Sequence, residues 1–351
     1  MRAPKIEYRV RFSSRAWVIH GAARWIARPM FSLWPLTPAG LRAGPALELL
    51  AGLRKAPAGT RTEKLRIGGF LVEWVKADGV APGLPNPAAG AVLYFHGGGF
   101  IGGGVGTHRR CVSALSRTSR KPVLSVAYRQ YPAARLDGSV SDGVFAYRWL
   151  LDHGYPAERI VLAGDSAGGY LSFSVALAAR AAGLPAPAGI LAISPLLDWD
   201  CTDKQAHVNL RRDAYIPGRR LPALYQLVAP LAGPDPRLSP INHDLLGLPP
   251  VLLQVAAREV LRCDAEAMAQ RLANAGVPCT LQIWAGQVHA FPVLAGLLPE
   301  AMAALIEAGA FIQEVTTAAA RELDDTARLD DTGVLEDTGV LEDTDRLDDT
   351  A

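Results

Sequence analysis

The sequence predicts an α/β protein, a mostly parallel sheet with helices on both faces. Three observations carry this. From about residue 62 onward, short apolar runs alternate with helical stretches, which is the pattern of parallel strands joined by helical crossovers. Glycine and proline mark the junctions, as in Gly276-Val277-Pro278. The run Ile160–Ala163 passes through Gly164-Asp165-Ser166-Ala167-Gly168 straight into a helical stretch, a sharp strand-to-helix turn.

Taken in order, residues 1–60 read as helices. Val18, Ala22, Trp25 and Ile26 fall at i, i+4, i+7 and i+8, with His20, Arg24 and Arg28 on another face, and Pro29 ends or kinks the helix. The apolar face is expected to pack under a cap; contact of this basic, tryptophan-bearing helix with an anionic membrane surface is the alternative. Strands are predicted at Leu65–Ala77, Ala91–Phe95, Val123–Tyr128, Ile160–Ala163, Gly189–Ser194, Val251–Ala256 and Thr280–Trp284. Helices are predicted at Val140–His153, Gly168–Ala182 and Ala265–Ala275. Residues 199–249 interrupt the rhythm, and together with residues 1–60 they are expected to form a lid over the catalytic domain, residues 61–320.

From Leu323 the chain becomes an acidic hexapeptide repeat, LDDTAR LDDTGV LEDTGV LEDTDR LDDT. A six-residue period is compatible with a β-helix, but one leucine per acidic turn buries too little to offset chain entropy. Residues 321–351 are therefore expected to be a disordered tail.

The 351 residues, half of them apolar, suffice for one large core. The net charge of +2 conceals an asymmetry: residues 321–351 hold twelve acidic and three basic residues, leaving residues 1–320 at +11. The arginines are scattered without interleaved aromatics, which argues against a nucleic-acid groove. The four cysteines form no C-x-x-C pair and no zinc spacing, so reduced thiols and no metal are expected. The N-terminal apolar stretch is broken by His20 and Arg24 and lacks a cleavage pattern, and no window reaches the length of a membrane span. The expected location is the cytoplasm, with peripheral membrane contact as the variant; pairing of two copies is an open alternative.

The chemistry concentrates at two places. In Gly164-Asp165-Ser166-Ala167-Gly168 the turn strains the central serine and lifts its hydroxyl above the sheet, while the helix start beyond it favours negative charge. Ahead of it, His96-Gly97-Gly98-Gly99 follows the run Ala91–Phe95, where bare backbone lets N–H groups approach a developing oxyanion. His96 is read as fixing this loop, not as the proton shuttle. The same loop satisfies G-x-G-x-x-G, but Phe100 to Leu136 contains no acidic residue to bind a ribose, so no dinucleotide cofactor is expected.

A serine nucleophile needs a base and an orienting acid. His289 follows the strand-like run Leu281–Trp284, and Glu259 follows Val251–Ala257. The order Ser166, Glu259, His289 is a nucleophile–acid–base order known for such sheets. Asp264 competes with Glu259, but it stands where a helix begins and is read as an N-cap.

With HGGGF, GDSAGG, YRQYP at Tyr128–Pro132, SPLLDW at Ser194–Trp199 and EVLRCDA at Glu259–Ala265, the chain resembles the hormone-sensitive-lipase-like branch of the α/β-hydrolases over about residues 62–315. That resemblance implies an eight-stranded sheet with a helical cap, hydrolysis of carboxylic esters and no cofactor. It implies Ser166 as nucleophile, His289 as base, and Gly98, Gly99 and Ala167 as oxyanion donors. Two stretches depart from the family pattern: Glu259-Val260-Leu261-Arg262-Cys263 replaces D-x-L-x-D, and YRQYPA replaces YRLAPE. The expected partner is a small ester. A non-catalytic binding protein of the same fold, and an amidase or lactonase, are the alternatives.

Overall fold

The computed structural model describes residues 3–41, 43–53, 55–80, 87, 90–229 and 235–332. A nine-stranded sheet runs through the molecule in the order β1-β9-β8-β7-β6-β4-β5-β3-β2. Its strands are β1 (Lys5–Arg9), β2 (Thr60–Ile67), β3 (Phe70–Ala77), β4 (Ala91–Phe95), β5 (Val123–Ala127), β6 (Ile160–Asp165), β7 (Gly189–Ile193), β8 (Val251–Ala256) and β9 (Cys279–Trp284). All pairs are parallel except β2 with β3 and β3 with β5. Strands β4 to β8 are almost wholly buried, which is why they read as continuous apolar runs.

The sequence predicted seven strand segments and the family pattern eight strands. The ninth is β1, inside a segment expected to be helical. It pairs with β9, Ile6 opposite Leu281 and Tyr8 opposite Ile283. It is an edge strand with exposed side chains, so its core-facing signal is weak. The predicted strand Leu65–Ala77 is a hairpin, folded at Gly68-Gly69, both with positive φ.

One face of the sheet carries the helices Leu136–Asp152, Ala167–Ala181 and Arg262–Asn274, whose buried side chains join one core. The other carries Val105–Ser119 and Pro299–Thr332. The last helix corrects the expectation for residues 321–332, which continue it instead of being disordered. Once the packed part of the helix has formed, each added residue avoids the nucleation cost. The remaining repeats, residues 333–351, lie outside the described residues.

The face of the first helical segment, which runs without a break from Ser14 to Leu33, is also opposite to expectation. Ala16 and Ala23 are buried, whereas Val18, Ala22, Trp25 and Ile26 are exposed. The segment is held by polar anchors: Arg24 Nη1 donates to the carbonyls of Arg211 (2.9 Å) and Asp213 (3.1 Å), and Arg28 Nη2 to that of Leu210 (3.0 Å). Arginines reaching backbone carbonyls, together with small alanines at the contact, bring this helix against residues 210–213. Pattern reading assigns the large apolar side to the interior and misses this.

Candidate active site

The four strands β6, β7, β8 and β9 are neighbours, and the segments leaving their carboxyl ends carry every sequence-predicted catalytic residue. Ser166 sits between β6 and the helix Ala167–Ala181 with φ 53° and ψ −115°, a conformation an L-residue adopts only under constraint. The constraint is visible. A Cβ on Gly168 would lie 1.8 Å from the Phe95 carbonyl oxygen, and one on Gly164 2.4 Å from the Gly168 carbonyl, so only glycine permits this crossing. The Ser166 N–H donates to the Ile193 carbonyl at 2.8 Å, tying the turn to the end of β7.

The glycine loop after β4 is equally tight. Gly98 has φ 124°, and a Cβ there would lie 1.9 Å from the Gly102 carbonyl oxygen. The Gly97 N–H is taken by Asp165 Oδ1 at 3.0 Å. Among the described residues, the N–H groups of Gly98, Gly99 and Ala167 have no protein acceptor. His96 is buried, its ring stacked on Tyr128 at 4.4 Å, with Nδ1 2.8 Å from its neighbour Gly97's carbonyl oxygen. Burial lowers its pKa to about 3, so the imidazole stays neutral. That geometry fits a residue that shapes the loop.

His289 Nδ1 lies 3.0 Å from Glu259 Oε2, both side chains buried. A carboxylate accepting from Nδ1–H leaves Nε2 with the lone pair. Burial opposes the charged ring, but the hydrogen bond and charge of Glu259, joined by the charges of Asp213 and Asp165, outweigh it and raise the His289 pKa above its ordinary value. Among the described residues neither Ser166 Oγ nor His289 Nε2 has a hydrogen-bond partner, a looseness common before substrate binds.

Asp264 is not an N-cap. Leu261 occupies the cap position of the helix Arg262–Asn274. Asp264 is buried against Lys204 Nζ at 2.7 Å and accepts the N–H groups of Leu197 (2.9 Å) and Asp198 (3.0 Å). It ties Leu197, Asp198 and Lys204 to the start of the helix Arg262–Asn274. The local pattern suggested a cap because the lysine that claims it is 60 positions upstream.

Four supporting residues escaped the sequence reading. Asp165, the variable position of the serine motif, is a buried hub: Tyr94 Oη donates to its Oδ1 at 2.7 Å, and His108 Nε2 stands 3.4 Å from its Oδ2. It joins the glycine loop to the serine turn. Asp213 accepts the N–H of Val260 at 2.8 Å and those of Tyr215 (2.7 Å) and Ile216 (2.8 Å), so it fixes the segment after Glu259. Tyr215 then stacks on His289, centroids 5.9 Å apart. Ser194 Oγ accepts the Ala290 N–H at 3.0 Å. Asp165 and Ser194 lie inside motifs the sequence showed, whereas Asp213 and Tyr215 carried no local signal.

Comparison with known proteins identifies the family of the fold. A family model described as alpha/beta hydrolase fold matches residues 92–293. The chain belongs to this family. This hydrolase is 43% identical over 249 residues to Esterase LipU of Mycobacterium tuberculosis (strain ATCC 25618 / H37Rv), spanning 69% of this chain and 83% of that one. It is 37% identical over 303 residues to Carboxylesterase/phospholipase LipF of the same organism, spanning 84% and 80%. Among solved structures, an esterase from the bacterial hormone-sensitive lipase family superposes with a TM-score of 0.77 at 32% identity, covering 88% of this chain and 100% of that one. The hydrolase thus falls in the hormone-sensitive-lipase-like branch.

Proposed function

We propose that this α/β-hydrolase is a serine carboxylic ester hydrolase that works through an acyl-enzyme on short to medium acyl esters. The observation that carries the reading is the buried Glu259–His289 hydrogen bond, which equips His289 as a base, while Ile193 and Ser194 at the end of β7 tie the strained Ser166 turn and the histidine loop to one strand end. A non-catalytic binding protein has no use for such a pair.

In this reading Ser166 Oγ attacks the ester carbonyl carbon while His289 Nε2 takes the hydroxyl proton, and Glu259 steadies the imidazolium. The carbonyl oxygen becomes an oxyanion facing the N–H groups of Gly98, Gly99 and Ala167. Collapse breaks the bond to the alkoxy oxygen, and His289 returns its proton to the departing alcohol. Water, deprotonated by His289, then attacks the acyl carbon; the bond from that carbon to Ser166 Oγ breaks, His289 returns the proton to Oγ, and the acid leaves.

The limit on acyl length rests on the covering segments. The helix Leu221–Val228 places Leu224 over the glycine loop, where its Cδ2 stands 3.3 Å from the position of a Gly99 Cβ. Behind it, Phe100, Tyr170, Trp199 and Tyr225 pack ring against ring. Bulky walls this near the acyl position suit short chains.

An organophosphonate probe followed by peptide mass mapping tests the chemistry. Label at Ser166, and a loss of about 10⁶ in kcat on Ser166→Ala, are expected. Label elsewhere, or turnover by the alanine variant, sinks the mechanism. A p-nitrophenyl ester series with matching amides and lactones tests the substrate class; best turnover on emulsified long-chain triacylglycerol, or on amides, overturns that part.

A further inference from the structure

The helical segment Ser14–Leu33 turns its large apolar side chains to solvent. Trp17, Val18, Trp25, Ile26 and Leu33 are each between 62% and 82% exposed. The exposed positions Val18, Trp25 and Ile26 recur at helical spacing, while Ala16 and Ala23 take the inner face. A contiguous patch of this kind on a folded surface marks an interaction site.

Charge narrows the occupant. Residues 8–41 contain five arginines and no aspartate or glutamate. Arg24 and Arg28 are spent on cap carbonyls, but Arg11 and Arg15 are exposed beside the patch. The segment to which the helix is anchored adds exposed Arg211, Arg212 and Arg219. A second copy of the chain meeting this face across a two-fold axis would set arginine against arginine. An anionic lipid surface instead meets both features: indole rings suit the headgroup boundary and the arginines suit its charge.

We propose that this face docks the protein onto anionic membrane, with Trp17, Val18, Trp25 and Ile26 entering the headgroup boundary. The inner side of the same segment packs on the site: Phe31 meets Tyr215 at 5.1 Å, and Tyr215 stacks on His289. Docking therefore holds the roof of the candidate active site at the lipid surface, where esters partitioned into the bilayer are concentrated.

The test is sedimentation of the full chain with phosphatidylcholine vesicles, with and without phosphatidylglycerol. Binding to the anionic vesicles, at least about tenfold stronger than to the neutral ones and lost in 0.5 M salt through screening, is expected. Trp25→Ser with Ile26→Ser, and separately Arg11→Glu with Arg15→Glu, should each weaken it about tenfold or more. Both variants should keep thermal stability and hydrolysis of a soluble ester, because these side chains are exposed and outside the site. Failure of the full chain to sediment with anionic vesicles overturns the proposal, as does unchanged binding by both variants. Self-association of the wild type that Trp25→Ser with Ile26→Ser abolishes would assign the face to a second copy instead. Vesicle binding is read without hydrolysis, so it stands or falls apart from the proposed chemistry.

Discussion

The hydroxyl oxygen of Ser194 accepts the backbone N–H of Ala290 at 3.0 Å, one residue beyond His289. The preceding carbonyl, that of Ile193, takes the N–H of Ser166 at 2.8 Å. Two consecutive residues at the end of β7 thus grip the serine turn on one side and the histidine loop on the other. Ser194 itself has φ 47° and is fully buried, so the end of β7 is constrained as tightly as the turn it holds.

Ser194→Ala should therefore leave Ser166 reactive toward a phosphonate but misplace His289. A displacement on the ångström scale costs about 10²-fold in kcat, and the freed N–H costs about 1–3 kcal/mol of stability where it stays unsolvated. Steady-state kinetics and thermal denaturation read the two effects. Wild-type kcat in this variant would show that Ser194 positions nothing of consequence.

Glu259 and Asp264 should separate cleanly. Glu259→Gln should lower kcat by about 10⁴ while the protein stays folded, as neutralising a triad acid does. Asp264→Asn should act on stability instead, because it strands the buried Lys204 ammonium; breaking such a pair costs about 3–5 kcal/mol. Replacing both, Lys204→Met with Asp264→Leu, should recover only part of that loss, because the N–H groups of Leu197 and Asp198 then lack their acceptor. The opposite pattern, an inactive but stable Asp264→Asn, would move the acid to Asp264.

The pH dependence follows from the same pair. His289 accepts a proton from Ser166 only while neutral, and Glu259 raises its pKa above the ordinary value. Activity should then be lost as pH falls through that raised pKa, with the plateau on its alkaline side. In Glu259→Gln the burial of the ring acts unopposed by that carboxylate, so the inflection in kcat/KM should move to lower pH. An inflection that does not move would show that Glu259 does not set it.

Gly98 and Gly99 should respond differently to one added methyl. In Gly98→Ala the methyl meets the Gly102 carbonyl oxygen at 1.9 Å, so the loop must open and its donors move. Loss of one oxyanion donor costs about 10²–10³ in kcat. In Gly99→Ala the nearest atom is Leu224 Cδ2 at 3.3 Å, which a rotamer change relieves, leaving chiefly the strain of φ 63°. Equal rates in both variants would argue against a role for this loop geometry.

The sequence determined by itself the features that depend on near neighbours along the chain. The serine turn between a strand and a helix, the glycine loop after β4 and six of the parallel strands follow from short apolar runs and residues lacking a Cβ, and these are local. The placement of Glu259 and His289 was legible because each lies within five residues of a strand end, and the parallel order delivers all such ends to one edge. Tertiary structure alone decided what depends on distant partners. Strand β1 exists because β9 offers it an edge, Asp264 is an ion pair because Lys204 is brought beneath it, and Ser194 matters because β7 lies between β6 and β8. The first helix turned its tryptophans outward because arginines and alanines, not its apolar stripe, make its contacts. Hydrophobic spacing says which residues share a face; only the assembled fold supplies, or withholds, a surface for that face to meet.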